Sequence, residues 1–246
     1  MKLLSINQDS KTSKGSKFGF LTGIMYFAPY KISGFNVCAG ASKGCIESCL
    51  YSAGMGIFNN VQQARINRTL FFKNEQKAFF KQLIKEITAL INKAKKEGLT
   101  PVIRLNGTSD IPWENLAVIH EGKLYNNIFT LFDGVQFYDY TKLVRRLNSK
   151  NYTTLNNYVL TFSRSESNNS DCVKALKSGI NVASVFKDSL PNSYKINSLK
   201  YQVLNGDLTD LRFKDKSGVI IGLIAKGKAK KDNTGFVIDN HLTKEV

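Results

Sequence analysis

The architecture is indicated most clearly by Val102-Ile103-Arg104-Leu105-Asn106-Gly107-Thr108-Ser109-Asp110, a short apolar run followed by a polar loop. The apolar run has the length and composition of a buried strand. Three further runs repeat the pattern, with helical or polar segments between them, at residues 135–138, 158–162 and 182–186. This alternation predicts an α/β fold with a mostly parallel sheet wrapped by helices, either open or closed into a partial (β/α) barrel. The first strand is expected within residues 18–30, with a loop that contains three cysteines after it.

The regions on either side of these strands fit the same architecture. The longest helical pattern covers residues 60–96 with an expected break near Lys73-Asn74, and its second half has the spacing of a helix buried on one face. Near the other end, residues 201–204, 219–223 and 236–238 are expected to be short strands that close the sheet. We expect one domain over residues 1–246, with residues 1–17 as a candidate mobile N-terminal segment.

The chain is strongly basic, with 35 Lys and Arg residues against 19 Asp and Glu residues and a formal net charge of +16. This charge favours an anionic partner, which can be a nucleic acid, an acidic protein or a small anion. No segment reaches the roughly 18 consecutive apolar residues that span a bilayer, so a cytoplasmic protein without a membrane partner is expected. Cytoplasmic thiols stay reduced, and the four cysteines are therefore interpreted by position and not as disulfides.

Three of the four cysteines lie close together, in Cys38-Ala-Gly-Ala-Ser-Lys-Gly-Cys45-Ile-Glu-Ser-Cys49, which we call the cysteine loop. The small residues between the first two let the chain curl and point several thiolates at one centre. A [4Fe-4S] cluster held at three corners is the favoured interpretation. Structural zinc, which usually takes four ligands in two close pairs, and incidental thiols remain the alternatives. Cys172 has the spacing of a buried helix position and is not predicted to be a ligand.

The sequence also predicts where a ligand would bind. Ligands of parallel α/β sheets gather at the carboxyl ends of the strands, and polar residues follow four of the predicted strands there. Ordinary turn chemistry is the alternative explanation for each of them. The candidate ligand-binding residues are Asn106, Thr108, Asp110, Thr141, Lys142, Ser163, Arg164 and Asp207.

Five motifs occur in a fixed order along the chain. They are the cysteine loop with Leu50-Tyr51 after it, Ile103-Arg104-Leu105-Asn106-Gly107-Thr108-Ser109-Asp110, Phe137-Tyr138-Asp139-Tyr140-Thr141-Lys142, Leu160-Thr161-Phe162-Ser163, and Gly206-Asp207-Leu208-Thr209-Asp210-Leu211-Arg212-Phe213. In this order and spacing, across roughly residues 18–238, the chain resembles the phage gene-product-88-like family. The resemblance implies a virus-encoded protein of the host cytoplasm with a metal centre bound by Cys38, Cys45 and Cys49.

The resemblance also implies a distant similarity to radical-SAM-type partial barrels. In those enzymes three cysteines after the first strand hold a [4Fe-4S] cluster, and its fourth iron binds S-adenosylmethionine. Their usual spacing is C-x3-C-x2-C, whereas this loop has C-x6-C-x3-C, and Asn106-Gly107-Thr108 matches their glycine-rich segment only in part. These departures argue against cofactor cleavage and leave the cluster itself, which needs only three thiolates, as the expectation.

Three functions follow as alternatives. The favoured one is an iron–sulfur protein with redox or radical chemistry, whose open iron meets a small anionic ligand bound by Lys142, Arg164 and Asp110. The second is a basic nucleic-acid-binding phage protein with a structural metal site. The third is an electron carrier without catalysis, which meets an electron donor. The sequence singles out no catalytic residue and does not decide whether the protein is an enzyme.

Overall fold

The computed structural model describes residues 1–6 and 14–240, so part of the predicted N-terminal segment and the last six residues lie outside the described chain. Within the described residues most of the strands come from the predicted apolar runs. The strands are β1 (Leu4–Ile6), β2 (Phe20–Met25), β3 (Thr100–Arg104), β4 (Val118–His120), β5 (Lys123–Tyr125), β6 (Gln136–Thr141), β7 (Tyr158–Ser163), β8 (Val182–Phe186), β9 (Ser193–Ile196), β10 (Leu199–Asn205), β11 (Ile220–Ile224) and β12 (Val237–Ile238).

Ten of these strands form one sheet in the order β1-β2-β3-β6-β7-β8-β11-β10-β9, with β12 paired beside β8. The six strands β2, β3, β6, β7, β8 and β11 are parallel neighbours and lie side by side in sequence order. The first strand, β1, and the last on the path, β9, are antiparallel to their neighbours. The path has two ends, and the described residues form no closed barrel; β10 and β11 extend the sheet beyond β8.

Most of the helices pack on one face of the sheet, and the short helix Lys43–Glu47 lies at its carboxyl edge. The helices are α1 (Lys43–Glu47), α2 (Asn59–Asn74), α3 (Gln76–Lys96), α4 (Ile128–Leu131), α5 (Val144–Leu147), α6 (Lys150–Thr153) and α7 (Asn169–Lys177). The main core combines buried residues of α3, such as Leu83 and Ile87, with alternate strand residues such as Phe137 and Phe162. Because side chains alternate between the two faces of a strand, only every second strand residue joins this core.

The other face of the sheet is covered by the chain that follows β10. Leu211 and Phe213 pack there against strand residues that include Tyr138. A buried ion pair lies on the same face, where Arg104 Nη1 is 3.0 Å from Asp210 Oδ2. Segments on both faces thus bury the sheet, as expected for parallel strands.

The coarse sequence prediction is confirmed as a mixed α/β fold with a mostly parallel sheet and helices. The predicted helical break separates α2 from α3 at Glu75, and Cys172 is fully buried on α7. The strands β1 and β9 and the β4–β5 hairpin were not predicted. No helix among the described residues combines the length and apolarity needed to cross a membrane.

Candidate functional site

The cysteine loop follows β2, the first of the parallel strands, and lies over the carboxyl edge of the sheet. Cys38 precedes α1, Cys45 lies within it, and Cys49 begins the short helical turn at Leu50–Ser52. All four cysteines of the chain are free thiols; the three in the loop are half-buried, whereas Cys172 is buried. Cys172 donates a hydrogen bond at 3.4 Å to Oδ1 of Asn168, the residue that precedes its helix.

Glu166, from the loop after β7, ties the cysteine loop to the sheet. Its Oε1 accepts a hydrogen bond from Gly44 N at 2.8 Å, and its Oε2 accepts one from the Ser42 hydroxyl at 2.7 Å. Burial alone would raise the pKa of the Glu166 carboxyl, but these hydrogen bonds outweigh it and lower the pKa below its usual value. A Cβ at Gly44 would lie 2.4 Å from Phe236 Cβ, so this close approach requires glycine.

Other contacts of the cysteine loop reach several strand ends. The Cys38 thiol lies 3.6 Å from the carbonyl oxygen of Thr108, after β3. A Cβ at Gly40 would be 3.0 Å from Lys142 Cβ, after β6. Cys45 packs against the small apolar cluster that contains Phe236, before β12. The loop therefore spans the carboxyl edge from β3 to β12.

The three loop thiols interact electrostatically with one another. Burial raises the pKa of Cys38 to about 12, and the neighbouring Cys49, Cys45 and Asp110 add to the rise. Burial also raises the pKa of Cys49, and Cys45 contributes in the same direction, whereas the cations Arg65 and Lys142 oppose the shift. Thiols that are neutral for these reasons become thiolates when a metal cation binds among them.

Arg65, on α2, places a buried guanidinium beside Cys49. Its Cζ lies 5.0 Å from the ring centroid of Tyr26 and 5.7 Å from that of Tyr51, so two aromatic rings flank it. Among the described residues, its Nε and Nη1 have no hydrogen-bond partner although both atoms are buried. Burial lowers the pKa of this guanidinium from its usual high value. The site therefore contains two buried donor atoms without an acceptor.

A second polar cluster lies next to the cysteine loop, and we call it the buried ion network: Asp110, Glu114, Asp139, Arg146 and Tyr158. Arg146, on α5, is at its centre and is 2% exposed. Its Nη1 donates to Asp110 Oδ1 at 2.5 Å, and its Nε and Nη2 each donate to a Glu114 carboxylate oxygen at 2.8 Å. Arg146 thereby joins the loop after β3 to the segment after β6.

Asp139, on β6, completes the buried ion network. Its carboxylate accepts hydrogen bonds from Asn106 N at 2.7 Å and from the Tyr158 hydroxyl at 3.1 Å. Its complete burial raises the pKa to about 7, against the lowering effect of these hydrogen bonds and of Arg104 and Arg146. A carboxyl group in this position changes charge near neutral pH.

The structure brings four of the predicted ligand-binding residues close to the cysteine loop. Thr108 accepts from Cys38 through its carbonyl, and its hydroxyl donates to Phe27 O at 2.6 Å. Asp110 Oδ2 accepts from Lys142 N at 2.8 Å, and the Lys142 ammonium lies 5.3 Å from the Phe236 ring centroid. Arg164 Nη1 donates to the carbonyl oxygen of Phe236 at 3.1 Å, while its buried Nε has no partner among the described residues.

The other four predicted residues hold the fold at these positions. Asn106 is buried, and its Oδ1 accepts from Ile111 N and from the Trp113 indole. Two further polar contacts close local turns: Leu143 N donates to Thr141 Oγ1, and Asn168 Nδ2 donates to Ser163 O. A third contact joins β11 to the segment after β10, since Ile224 N donates to Asp207 Oδ2. Asp207 lies at the end of β10, where its Oδ1 is 3.2 Å from Lys226 Nζ.

The donor set of the loop can be compared with what a metal would need. Three cysteine sulfurs are the soft ligands that iron–sulfur clusters use. As the side chains stand, no three His, Cys, Asp or Glu residues within the described chain are arranged to hold a metal ion. The donor chemistry fits a cluster, and binding one requires the three thiols to converge further.

A family model described as Gene product 88 matches residues 2–240. No curated protein and no solved structure matches the chain.

Proposed function

The chain belongs to the phage gene product 88 family, and on this premise we propose that it is an iron–sulfur protein whose [4Fe-4S] cluster is bound by Cys38, Cys45 and Cys49. The observation that carries the proposal is the placement of three free, half-buried thiols on one loop at the carboxyl edge of a parallel sheet. This edge is where parallel α/β folds bind ligands.

The strand order supports the partial-barrel interpretation of this site. Six parallel strands follow one another in space as they do in sequence, an order found in (β/α) barrels and not in doubly wound sheets. In such an arrangement the loop after the first parallel strand, here the cysteine loop after β2, lies at the carboxyl end of the barrel. Three cysteine corners would leave one iron of a cubane open to another ligand.

The residues around the loop would have distinct roles. When bound, the cluster would supply one-electron redox chemistry or an open iron. Glu166 holds the backbone of α1, and Thr108 lies against Cys38, so both keep the thiols over the sheet edge. Arg65 and Lys142 are the two cations that lower the pKa of Cys49. They would offset part of the negative charge of a cluster bound by thiolates.

The test is anaerobic purification followed by iron and acid-labile sulfide analysis and by EPR after reduction. We expect about four irons and about four sulfides per chain with a reducible signal. Cys45→Ser should abolish cluster loading, and Cys172→Ser, which changes a buried thiol on α7, should leave it intact. Equal iron loss in both variants, zinc in place of iron, or no metal would overturn the proposal.

A second candidate function is nucleic-acid binding, for which the surface of α3 is the specific observation. Lys77, Lys81 and Lys85 are exposed and repeat every four residues, so they form one basic stripe. Among the described residues, none of these three lysines forms an ion pair with a carboxylate. The lysine of α3 that does so is Lys93, which pairs with Glu97 just after the helix. An unpaired basic stripe is the electrostatic footprint of phosphate binding.

The salt dependence of binding tests this candidate. If the stripe contacts phosphates, changing all three lysines to Gln should reduce the slope of log K against log salt by about 1 per lysine. The binding should also persist in the Cys45→Ser variant. An unchanged slope would exclude the stripe as the contact surface.

A further inference from the structure

The segment after the cysteine loop exposes several large apolar side chains. From Ser48 to Ala64 the sequence has no charged residue, although 22% of the whole chain is charged. Four large apolar side chains of this stretch, which we call the apolar patch, are between 50% and 61% exposed: Leu50, Met55, Ile57 and Phe58. Single exposed apolar residues are ordinary on a protein surface, whereas several together mark a binding surface.

The fold of the segment holds the apolar patch together. Short helical turns cover Leu50–Ser52 and Gly54–Ile57. The second turn folds back onto the first, because a Cβ at Gly56 would lie 2.6 Å from the carbonyl oxygen of Tyr51. Gln62 Nε2 donates a hydrogen bond to the carbonyl oxygen of Gly56 at 2.8 Å and ties the second turn to α2. The patch is therefore built on ordered turns that are anchored to a helix.

A basic turn lies directly beside the apolar patch. It is the short helical turn Gly227–Lys231, and a Cβ at Gly227 would lie 2.9 Å from the Cβ of Ala53, between the two turns of the patch. Its exposed lysines are Lys228, Lys230 and Lys231. Among the described residues, none of the three pairs with a carboxylate, whereas the preceding Lys226 lies 3.2 Å from Asp207 Oδ1. The charge next to the patch therefore complements an acidic partner.

We propose that the apolar patch and these three lysines form a docking surface for an acidic segment of another protein, which presents apolar side chains to the patch and carboxylates to the lysines. Three of the four patch residues are aliphatic, and this favours a protein, since nucleic-acid bases stack on aromatic rings. A second copy of the chain would bring the same lysines and a net charge of +16, so like charges would oppose its docking. The proposal does not rest on the metal.

Fluorescence anisotropy with labelled peptides and the full chain tests the docking surface. The probe is an amphipathic helical peptide of about 18 residues, in which Glu residues flank a stripe of Leu. One control peptide has Gln in place of every Glu, and the other has Ser in place of every Leu. We expect saturable binding of the probe and about tenfold weaker binding of each control peptide, because both kinds of contact contribute.

Variants of the chain locate the binding surface. The double change Ile57→Ser and Phe58→Ser should raise the Kd of the probe about tenfold, since it removes apolar area at the centre of the patch. Changing Lys228, Lys230 and Lys231 to Gln should raise it about tenfold at low salt and less at high salt. All five positions are exposed, so these variants should unfold at the same urea concentration as the wild-type protein.

Matched control variants change equally exposed residues elsewhere. Ile119 and Leu124 are 65% and 67% exposed and lie opposite each other in the β4–β5 hairpin, and changing both to Ser removes a similar apolar area. Changing the exposed Lys195, Lys200 and Lys216 to Gln removes the same charge. Both controls should keep the Kd of the probe within about twofold of wild type.

Several outcomes would overturn the proposal. They are no saturable binding of the probe, equal binding of the control peptides, or an equal loss of affinity in the control variants. Self-association in sedimentation velocity that disappears in the Ile57→Ser and Phe58→Ser variant would assign the surface to a second copy instead. Binding of oligothymidylate that disappears in the same variant would assign it to a nucleic acid. None of these measurements depends on iron, so failure of the docking surface and failure of the cluster are distinguishable.

Discussion

The buried ion network and the cysteine loop lie side by side at the same edge of the sheet, and they differ in how their polar atoms are satisfied. In the network Arg146 donates to both Asp110 and Glu114 at distances of 2.5 to 2.8 Å. Beside the cysteine loop Arg65 has buried donors without acceptors in the described chain. A cluster whose charges satisfy one another holds the fold together, whereas a cluster with unused donors is suited to a ligand.

The two clusters also differ in which parts of the chain they connect. The network joins the segments after β3 and β6, which are neighbours in the sheet. The cysteine loop contacts residues after β3, β6 and β7 and before β12, so it depends on distant parts of the chain. Perturbing the network should therefore change global stability, and perturbing the loop should change local access to the thiols.

The largest effect is expected for Arg146→Met. The substitution leaves Asp110 and the fully buried Glu114 without their cation, and an uncompensated buried charge costs about 3–5 kcal/mol. Urea unfolding should show this loss in the free energy of unfolding. The matched control is Arg145→Met at the exposed neighbouring position, which should stay within about 0.5 kcal/mol of wild type. Equal losses in both variants would remove the distinction between the two clusters.

The pH dependence of stability should show the next largest effect. The pKa of Asp139 is raised from 3.8 to about 7 in the folded protein, so the native state binds the proton more tightly than the unfolded state. Its contribution to stability is present in full below pH 3.8 and is lost as the pH rises to about 7. Asp139→Asn should flatten this fall. Denaturant unfolding of both proteins across the range measures it, and parallel curves would contradict the assignment.

The smallest effect on global stability is expected for Glu166→Gln. The amide keeps one acceptor oxygen, and the loss of the second hydrogen bond to Ser42 or Gly44 should cost about 1 kcal/mol. The local effect is larger, because α1 loosens and Cys45 should react faster with iodoacetamide. Glu47→Gln changes an exposed carboxylate in the same helix and should leave the reaction rate as it is. If Cys45 reacts with iodoacetamide at the same rate in Glu166→Gln as in the wild-type protein, the hydrogen bonds of Glu166 do not hold the cysteine loop in place.

The strands that the sequence predicted well are those buried on both faces. The run at residues 182–186 coincides with β8, because a central parallel strand is a continuous apolar run. The edge strands β1 and β9 are three and four residues long and partly exposed, so they carry no comparable pattern. The predicted closure of the sheet depended on pairing between distant strands, which local patterns do not encode.

The sequence indicated where the candidate site lies, but not which charged residues are buried there or how they are paired. The rule that ligands gather at strand ends identified Thr108, Asp110 and Lys142 from the residues after β3 and β6. Arg65 was missed because nothing in the helical pattern of α2 marks one arginine as buried without a partner. Glu166 was missed because its contacts with the cysteine loop join residues more than 120 positions apart. Burial and pairing of charges depend on the tertiary fold, and they distinguish a ligand site from a turn.

The strand order is also an order of synthesis. From β2 to β8, each parallel strand pairs with the one made just before it, so the sheet can grow as the chain leaves the ribosome. The contacts that cover Cys45 come from Phe236 and its neighbours, near the end of the chain. That side of the cysteine loop therefore stays uncovered until the segment that contains Phe236 has been made, which leaves an interval during synthesis in which Cys45 is more accessible than in the folded protein.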